Sequence, residues 1–211
     1  MDKPILYSFR RCPYAMRARL AFVLSNRSCE IREVFLKDKP RSMIKASPKG
    51  TVPVLIKKNG EVIDESIEII NLLNLEEDIF IFNDHYDFIE STIALFDGKF
   101  KFHLDRYKYS SRFISKDKEF HRQECLNILI NLENTIESNP WFFGETISKL
   151  DICILPFIRQ FRIADENWFD ENQKIPFVRK TLKYFLNSDL LKVTMQKYRQ
   201  WKEGDIRVYF P

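Results

Sequence analysis

The pattern of apolar and polar residues changes character near residue 77. Before that point short apolar runs alternate with helical patterns, and the order of elements predicts a β-α-β-(α)-β-β-α unit. A β-α-β pair followed by an antiparallel hairpin indicates a small mixed sheet flanked by helices. The predicted elements are Pro4–Phe9 (strand), Pro13–Ser25 (helix), Glu30–Leu36 (strand), Thr51–Asp64 (hairpin) and a helix that begins at Ser66.

The hairpin is the clearest local signal in the chain. Two runs rich in β-forming residues are joined by Asn59-Gly60, a pair suited to the positive φ angles of a type I′ turn. With the two preceding strands, the hairpin gives a mixed four-stranded sheet within residues 1–77.

The remainder of the chain predicts helices. Apolar residues recur every three or four positions in five stretches: Ile89–Tyr107, Cys125–Ile136, Leu150–Phe161, Val178–Phe185 and Leu191–Trp201. Ser148 and Asp151 resemble a capping box at the start of the third stretch. We therefore expect an α/β plus all-α protein, with a mixed domain over 1–77, a linker over 78–85 and an all-helical C-terminal domain over 86–211.

Composition narrows the possible classes of function. A hydrophobic content of 45% with only 5 glycines argues against a disordered or low-complexity chain of 211 residues. The sequence shows no membrane span and no signal peptide at its start, so we expect a cytoplasmic protein without a membrane partner. A net charge of +4 is too small to indicate nucleic-acid binding. The three histidines are scattered, so we expect no metal site.

Cys12 is the candidate for chemistry. If the first strand ends near Phe9, Cys12 caps the following helix and Pro13 takes its first position. Free N–H groups and the positive end of the helix then favour a thiolate, which is a nucleophile and a redox centre at neutral pH. The alternative is a small packed residue, and the position beside Pro13 favours the reactive role. Cys125 and Cys153 fall in apolar helical patterns and Cys29 has no assigned role.

Several segments in order resemble one known family. The stretches RCPYAMRAR, LKDKP, SPKGTVPVLI, IDESIEII and FFGETISKLDICILPF are similar to those of cysteine-type glutathione transferases, such as the omega class and its bacterial relatives. The resemblance implies an N-terminal thioredoxin-like domain, a helical C-terminal domain, glutathione as cosubstrate and a homodimer.

The resemblance also implies roles for individual residues. Cys12 is then catalytic, and a cis peptide bond before Pro53 leaves the Val52 backbone free to pair with the cysteinyl amides of glutathione. The helix start at Ser66 receives the γ-glutamyl carboxylate, and Glu65 pairs with the γ-glutamyl ammonium. Without the resemblance these residues are ordinary caps, turns and surface charges. The implied glutathione-binding set is Tyr14, Lys39, Val52, Pro53, Glu65 and Ser66.

Three functions remain open at this stage. The first is a thiol transferase or reductase that forms a mixed disulfide with glutathione on Cys12. Glutaredoxins often carry a second cysteine three residues later, but this chain has Ala15 at that position, which excludes a dithiol mechanism there. The second is a conjugating transferase that acts on electrophiles. The third is a non-catalytic interaction protein of the stringent-starvation type, which binds RNA polymerase. The basic-aromatic segment Phe96–Phe113 is a candidate partner surface. The alternative, which we prefer, is that it forms one face of a long helix.

Overall fold

A computed structural model describes residues 3–77, 85–113 and 117–211. The chain divides into two compact units, the first made of Met1–Ile79 with Ser188–Pro211 and the second of Phe80–Asn187. The predicted linker, residues 78–85, lies outside the described residues except for His85. No described helix is both long and apolar enough to cross a membrane.

The first unit is built on a mixed sheet of the strands β1 (Ile5–Ser8), β2 (Cys29–Glu33), β3 (Val54–Ile56), β4 (Val62–Ile63) and β5 (Tyr209–Phe210). Their order in the sheet is β4-β3-β1-β2-β5. β1 is parallel to β2, and the other pairs are antiparallel. Leu6 on the central strand lies opposite Ile31 and Leu55, and all three are buried.

The sheet therefore has five strands among the described residues, and the prediction of four is corrected. The additional strand comes from the C-terminal end of the chain, where Tyr209 and Phe210 pair with Glu30 and Cys29. A strand of two residues is too short to show the alternating apolar pattern from which strands are predicted.

Two helices of this unit begin where the sequence predicts, at Pro13 and Ser66, and a third takes the place of the helix that the sequence predicts without bounds before the hairpin. They are α1 (Pro13–Leu24), α2 (Arg41–Ala46) and α3 (Ser66–Glu77). The β3–β4 hairpin is also present, but its turn is not of type I′. Gly60 alone has a positive φ, 87°, and its N–H donates to the carbonyl of Lys57 at 2.9 Å. Glycine therefore supplies the only left-handed position that this longer turn needs.

The second unit is helical. Its helices are α4 (Tyr86–Leu95), α5 (Lys101–Lys108), α6 (Lys118–Glu133), α7 (Lys149–Ala164), α8 (Glu166–Glu171) and α9 (Pro176–Asn187). The capping box at the start of α7 is confirmed, since Ser148 and Asp151 each accept a hydrogen bond from the other's backbone N–H.

The long helix predicted over Ile89–Tyr107 is divided by a π-helical turn, Phe96–Phe100. This turn places the Phe96 and Phe100 rings in a buried stack with centroids 4.3 Å apart. Leu104 and Tyr107 are also buried, whereas Phe102 remains half exposed beneath the guanidinium of Arg106. The buried apolar residues of the basic-aromatic segment are therefore part of the core of this unit.

The C-terminal segment departs most from the prediction. The last helix, α10 (Asp189–Thr194), ends well before Trp201, and the chain then runs irregularly to β5. The N–H of Trp201 donates to the carbonyl of Glu33 at 2.9 Å, and its ring packs edge-on against Tyr7. Because this stretch pairs with the end of β2, it does not continue as a helix. Residues 188–211 consequently belong to the first unit rather than to an all-helical domain of 86–211.

Candidate active site

Cys12 lies at the N-cap of α1, with extended backbone angles, and Pro13 opens the helix. The Cys12 N–H donates to the carbonyl of Phe9, and the Cys12 carbonyl accepts from the N–H of Met16, both at 2.9 Å. The chain therefore passes directly from strand to helix at this residue. The side chain is partly exposed, and its thiol lies at the positive end of a 12-residue helix.

Val52 faces the thiol. The Cys12 Sγ lies 3.7 Å from the Val52 carbonyl oxygen, and the peptide bond between Val52 and Pro53 is cis, as the resemblance implies. Val52 is buried in the same apolar cluster against which Cys12 packs. The structure thus brings together two members of the predicted set that are 40 positions apart in the chain.

A second group forms at the start of α3. Ser66 is buried, and its hydroxyl accepts a hydrogen bond from Nη1 of Arg17 at 3.3 Å. The Arg17 guanidinium also lies over the Tyr14 ring, 5.3 Å from its centroid. A buried cation beside a helix N-terminus makes this a favourable place for a carboxylate. Arg17 thus supports Ser66 from α1.

Lys39 lies on the loop before α2 and is exposed. Its Nζ is 3.5 Å from the position that a side-chain carbon on Gly50 would occupy, and Gly50 has a φ of 62°. The glycine therefore provides a left-handed turn, and Lys39 lies beside this turn on the loop that leads to Val52.

Glu65 is already engaged. Its Oε1 accepts a hydrogen bond from Nζ of Lys49 at 2.6 Å, and the same ammonium donates to Oδ1 of Asp64 at 2.8 Å. The carboxylates of Asp64 and Glu65 raise the pKa of Lys49, and Lys49, followed by the Ser47 hydroxyl, lowers the pKa of Asp64. No local pattern in the sequence points to Lys49, because its spacing from Glu65 carries no periodic signal.

The loop that carries Cys12 is tied to the sheet by Glu33. The backbone N–H of Arg10 donates to Oε1 of Glu33 at 2.8 Å, and the fully buried Arg19 pairs with Oε2 of the same carboxylate. Arg19 also donates through Nε to the hydroxyl of Ser8 at 2.8 Å. This buried network fixes the strand-to-helix turn on which the thiol is presented.

The other three cysteines have a different setting. Cys29, Cys125 and Cys153 are all fully buried. Burial raises the pKa of the Cys29 and Cys125 thiols, which disfavours their thiolate forms. Among the described residues, no group of three or more histidine, cysteine or acidic side chains is arranged to hold a metal ion.

Comparison with known proteins finds similarity to one family. Residues 6–77 match the model of the family described as "Glutathione S-transferase, N-terminal domain". Glutathione S-transferase omega-1 of Rattus norvegicus is 27% identical over 172 residues, which cover 77% of this chain and 68% of the relative.

Two solved structures share the fold over nearly the whole chain. The Tau class glutathione S-transferase MiGSTU from mango, Mangifera indica, has a TM-score of 0.79 at 24% identity and covers 92% of this chain and 93% of its own. A glutathione transferase family member from Pseudomonas fluorescens pf-5, with two glutathione bound, has a TM-score of 0.77 at 16% identity and covers 92% of each chain.

Proposed function

Because the chain belongs to the glutathione transferase family, we propose that it is a glutathione-dependent thiol transferase that acts through a mixed disulfide on Cys12. The observation that carries this proposal is the position of Cys12 at the N-cap of α1, with its Sγ 3.7 Å from the carbonyl oxygen of Val52. A cysteine at this position can itself bond to glutathione, whereas a hydroxyl can only activate the thiol of glutathione.

The reaction is a pair of thiol–disulfide exchanges. The Cys12 thiolate attacks the glutathione sulfur of a disulfide between glutathione and a second thiol, and that thiol leaves as a thiolate and takes up a proton. A second glutathione, as thiolate, then attacks the glutathione sulfur bonded to Cys12. Oxidised glutathione leaves and the Cys12 thiolate is restored, so one disulfide is consumed and one is formed.

The helix supplies the electrostatic support for this chemistry. The free N–H groups at the start of α1 stabilise negative charge on Cys12, both in the resting thiolate and when it leaves in the second exchange. Ala15 provides no second thiol, and the remaining cysteines are buried. The mixed disulfide is therefore resolved by glutathione rather than by the protein.

The arrangement suits glutathione as the ligand. We assign its cysteinyl amides to the Val52 backbone, its γ-glutamyl carboxylate to Ser66 and the start of α3, and its glycyl carboxylate to Lys39. Glu65 is assigned to the γ-glutamyl ammonium, and Tyr14 borders the Arg17–Ser66 group. The Pseudomonas fluorescens relative with two glutathione bound supports glutathione as the cosubstrate.

The test is intact mass spectrometry after incubation with oxidised glutathione, with peptide mapping of the product. We expect one glutathione adduct on Cys12, and none at that position in Cys12→Ser. Cys12→Ser is also expected to lose thiol transfer, whereas the matched variant Cys125→Ala, at a buried cysteine, keeps it. An unmodified Cys12, or full activity in Cys12→Ser, would overturn the proposal.

A conjugating transferase is the second candidate, supported by the similarity to a Tau class glutathione S-transferase. In that case the reactive thiolate belongs to glutathione, and Cys12→Ser keeps or gains conjugation to a chlorodinitrobenzene because the serine hydroxyl can stabilise it. The third alternative, a non-catalytic interaction protein, predicts neither an adduct nor conjugation.

We also propose a homodimer in the cytoplasm, by analogy with the family. Light scattering of the purified chain tests the dimer, and the expected mass is twice that of the 25.4 kDa chain. A monomer at working concentration contradicts it.

A further inference from the structure

The carboxylate assigned to the ligand's ammonium already has a partner in the protein. The Nζ of Lys49 lies 2.6 Å from Oε1 of Glu65 and 2.8 Å from Oδ1 of Asp64. Both Lys49 and Glu65 have exposed side chains, 52% and 59% respectively, so a ligand can reach the pair. The γ-glutamyl end of glutathione brings a second ammonium to this place.

The loop that carries Lys49 connects its ion pair with Asp64 and Glu65 to the segment that contacts Cys12. The hydroxyl of Ser47 donates to Oδ2 of Asp64 at 2.6 Å, which fastens the loop to the turn before α3. The Gly50 N–H donates to the Ser47 carbonyl at 3.1 Å, which closes the loop around Lys49. Three positions after Lys49, the same loop reaches Val52 and its contact with Cys12.

Charge determines what Lys49 does to a ligand. When two ammonium groups share the Glu65 carboxylate they repel each other, so the attraction available to the ligand's ammonium is reduced. We propose that Lys49 is a specificity-determining residue that competes with the γ-glutamyl ammonium for Glu65 and so weakens selection for a free α-amine. The inference rests on the proposed function, because it assumes that glutathione binds with its γ-glutamyl end at Glu65 and Ser66.

The experiment measures how strongly the site distinguishes two ligands that differ only in the ammonium. These are S-methylglutathione and the S-methyl form of glutaryl-cysteinyl-glycine, and only the second lacks the α-amine. The S-methyl group prevents both ligands from entering disulfide exchange. Isothermal titration calorimetry at low salt gives the ratio of their affinities for the wild type, Lys49→Met and Lys49→Arg. Lys57→Met is the matched control, because Lys57 forms a similar exposed pair with Glu61 at 2.8 Å in the β3–β4 hairpin.

We expect Lys49→Met to raise the preference for S-methylglutathione by roughly three-fold, the scale of one exposed ion pair. Lys49→Arg and Lys57→Met keep the wild-type ratio, and added salt reduces the effect of Lys49→Met. A purely structural role for Lys49 changes both affinities together and leaves their ratio unchanged.

Two results overturn the inference while leaving glutathione binding intact. One is an unchanged ratio in Lys49→Met, and the other is a reduced preference for S-methylglutathione, which makes Lys49 a partner of the ligand rather than a competitor. If the wild type binds neither ligand, the inference and the proposed function fall together.

Discussion

The sulfur of Cys12 lies 3.7 Å from the carbonyl oxygen of Val52, although the two residues come from opposite ends of the predicted β-α-β-(α)-β arrangement. The contact joins the start of α1 to the segment before β3. It leaves Cys12 partly exposed, whereas Cys29, Cys125 and Cys153 are buried. The four thiols therefore differ in their access to solvent.

We predict that iodoacetamide modifies Cys12 selectively in the folded protein. Access and the helix N-terminus both favour reaction there, and burial protects the other three thiols. Saturating S-methylglutathione is expected to slow the reaction because it covers the thiol. Peptide mapping at short labelling times measures this, with the urea-unfolded chain as the control in which all four cysteines react. Equal labelling of Cys29 or Cys125 in the native protein contradicts the prediction.

Ser66→Ala is expected to weaken binding of S-methylglutathione roughly ten-fold, because a hydrogen bond to a charged group contributes about 1.5 kcal/mol. The substitution removes the hydroxyl at the start of α3 and the acceptor used by Arg17. Calorimetric titration gives the affinity. Ser91→Ala is the control, since Ser91 is an exposed serine on α4 whose hydroxyl donates to the Phe88 carbonyl. Equal losses in both variants would remove Ser66 from the binding site.

Arg19→Met is expected to lower the free energy of unfolding by about 3–5 kcal/mol, because it leaves the Glu33 carboxylate without its buried partner. The guanidinium also donates to the carbonyls of Thr194 and Gln196, at 3.1 and 3.2 Å, so the C-terminal segment loses an anchor. Urea denaturation provides the measurement.

Arg162→Met is the matched comparison for Arg19→Met. Arg162 pairs with Asp170 through two hydrogen bonds of 2.7 and 2.6 Å but is 23% exposed, so we expect a loss of about 1 kcal/mol or less. Similar losses for the two arginines would show that the burial of Arg19 has no special weight in stability.

The sequence predicts the elements around Cys12 well, because their signals are local. Pro13 fixes φ at the first helical position, and Gly60 permits the positive φ of the hairpin turn, so the strand, helix and turn can be located without tertiary information. The helix start at Ser66 is found for the same reason, since Ser66 precedes an apolar helical pattern.

The parts that the sequence does not predict depend on distant contacts. Tyr209 and Phe210 form a strand only because β2 offers a free edge. The helical spacing of Tyr198 and Trp201 is overridden, because Trp201 bonds to Glu33 and the Tyr198 ring lies beside the guanidinium of Arg19. The pairing of Lys49 with Glu65 requires two loops to meet, which no local pattern encodes.

Asp151 is expected to make stability depend on pH. Burial raises its pKa from 3.8 to about 6, while the hydrogen bonds that it accepts from Ser148 and Phe142 act in the opposite direction. A carboxyl with a raised pKa binds its proton more tightly in the folded state. Its contribution is therefore fully present below about pH 4 and is lost as the pH rises through 6.

Asp151→Asn removes this titration. We expect the free energy of unfolding of the wild type, minus that of Asp151→Asn, to decrease from about pH 4 to about pH 7. Urea denaturation of both proteins across this range measures it. A difference that is constant or rises with pH contradicts the assigned direction of the pKa shift.

His103 is expected to produce the opposite slope. Its Nδ1 lies 2.8 Å from Nδ1 of His121, and both rings are buried, so a hydrogen bond between them needs one nitrogen that donates and one that accepts. Burial, followed by the proximity of His121, lowers the pKa of His103 below 6.5, although Glu124 partly opposes this. The unfolded chain therefore takes up a proton that the folded chain excludes. The contribution of His103 to stability is present above pH 6.5 and is lost as the pH falls below that value.

His103→Gln is neutral throughout this range and removes the titration. We expect the stability of the wild type relative to His103→Gln to fall as the pH is lowered from about 7 to about 5.5, where an ordinary histidine gains its charge. The exposed His85 provides the control, because His85→Gln also removes one histidine but leaves the α5–α6 contact intact. The same pH dependence in both variants would show that the buried contact between His103 and His121 does not govern the effect.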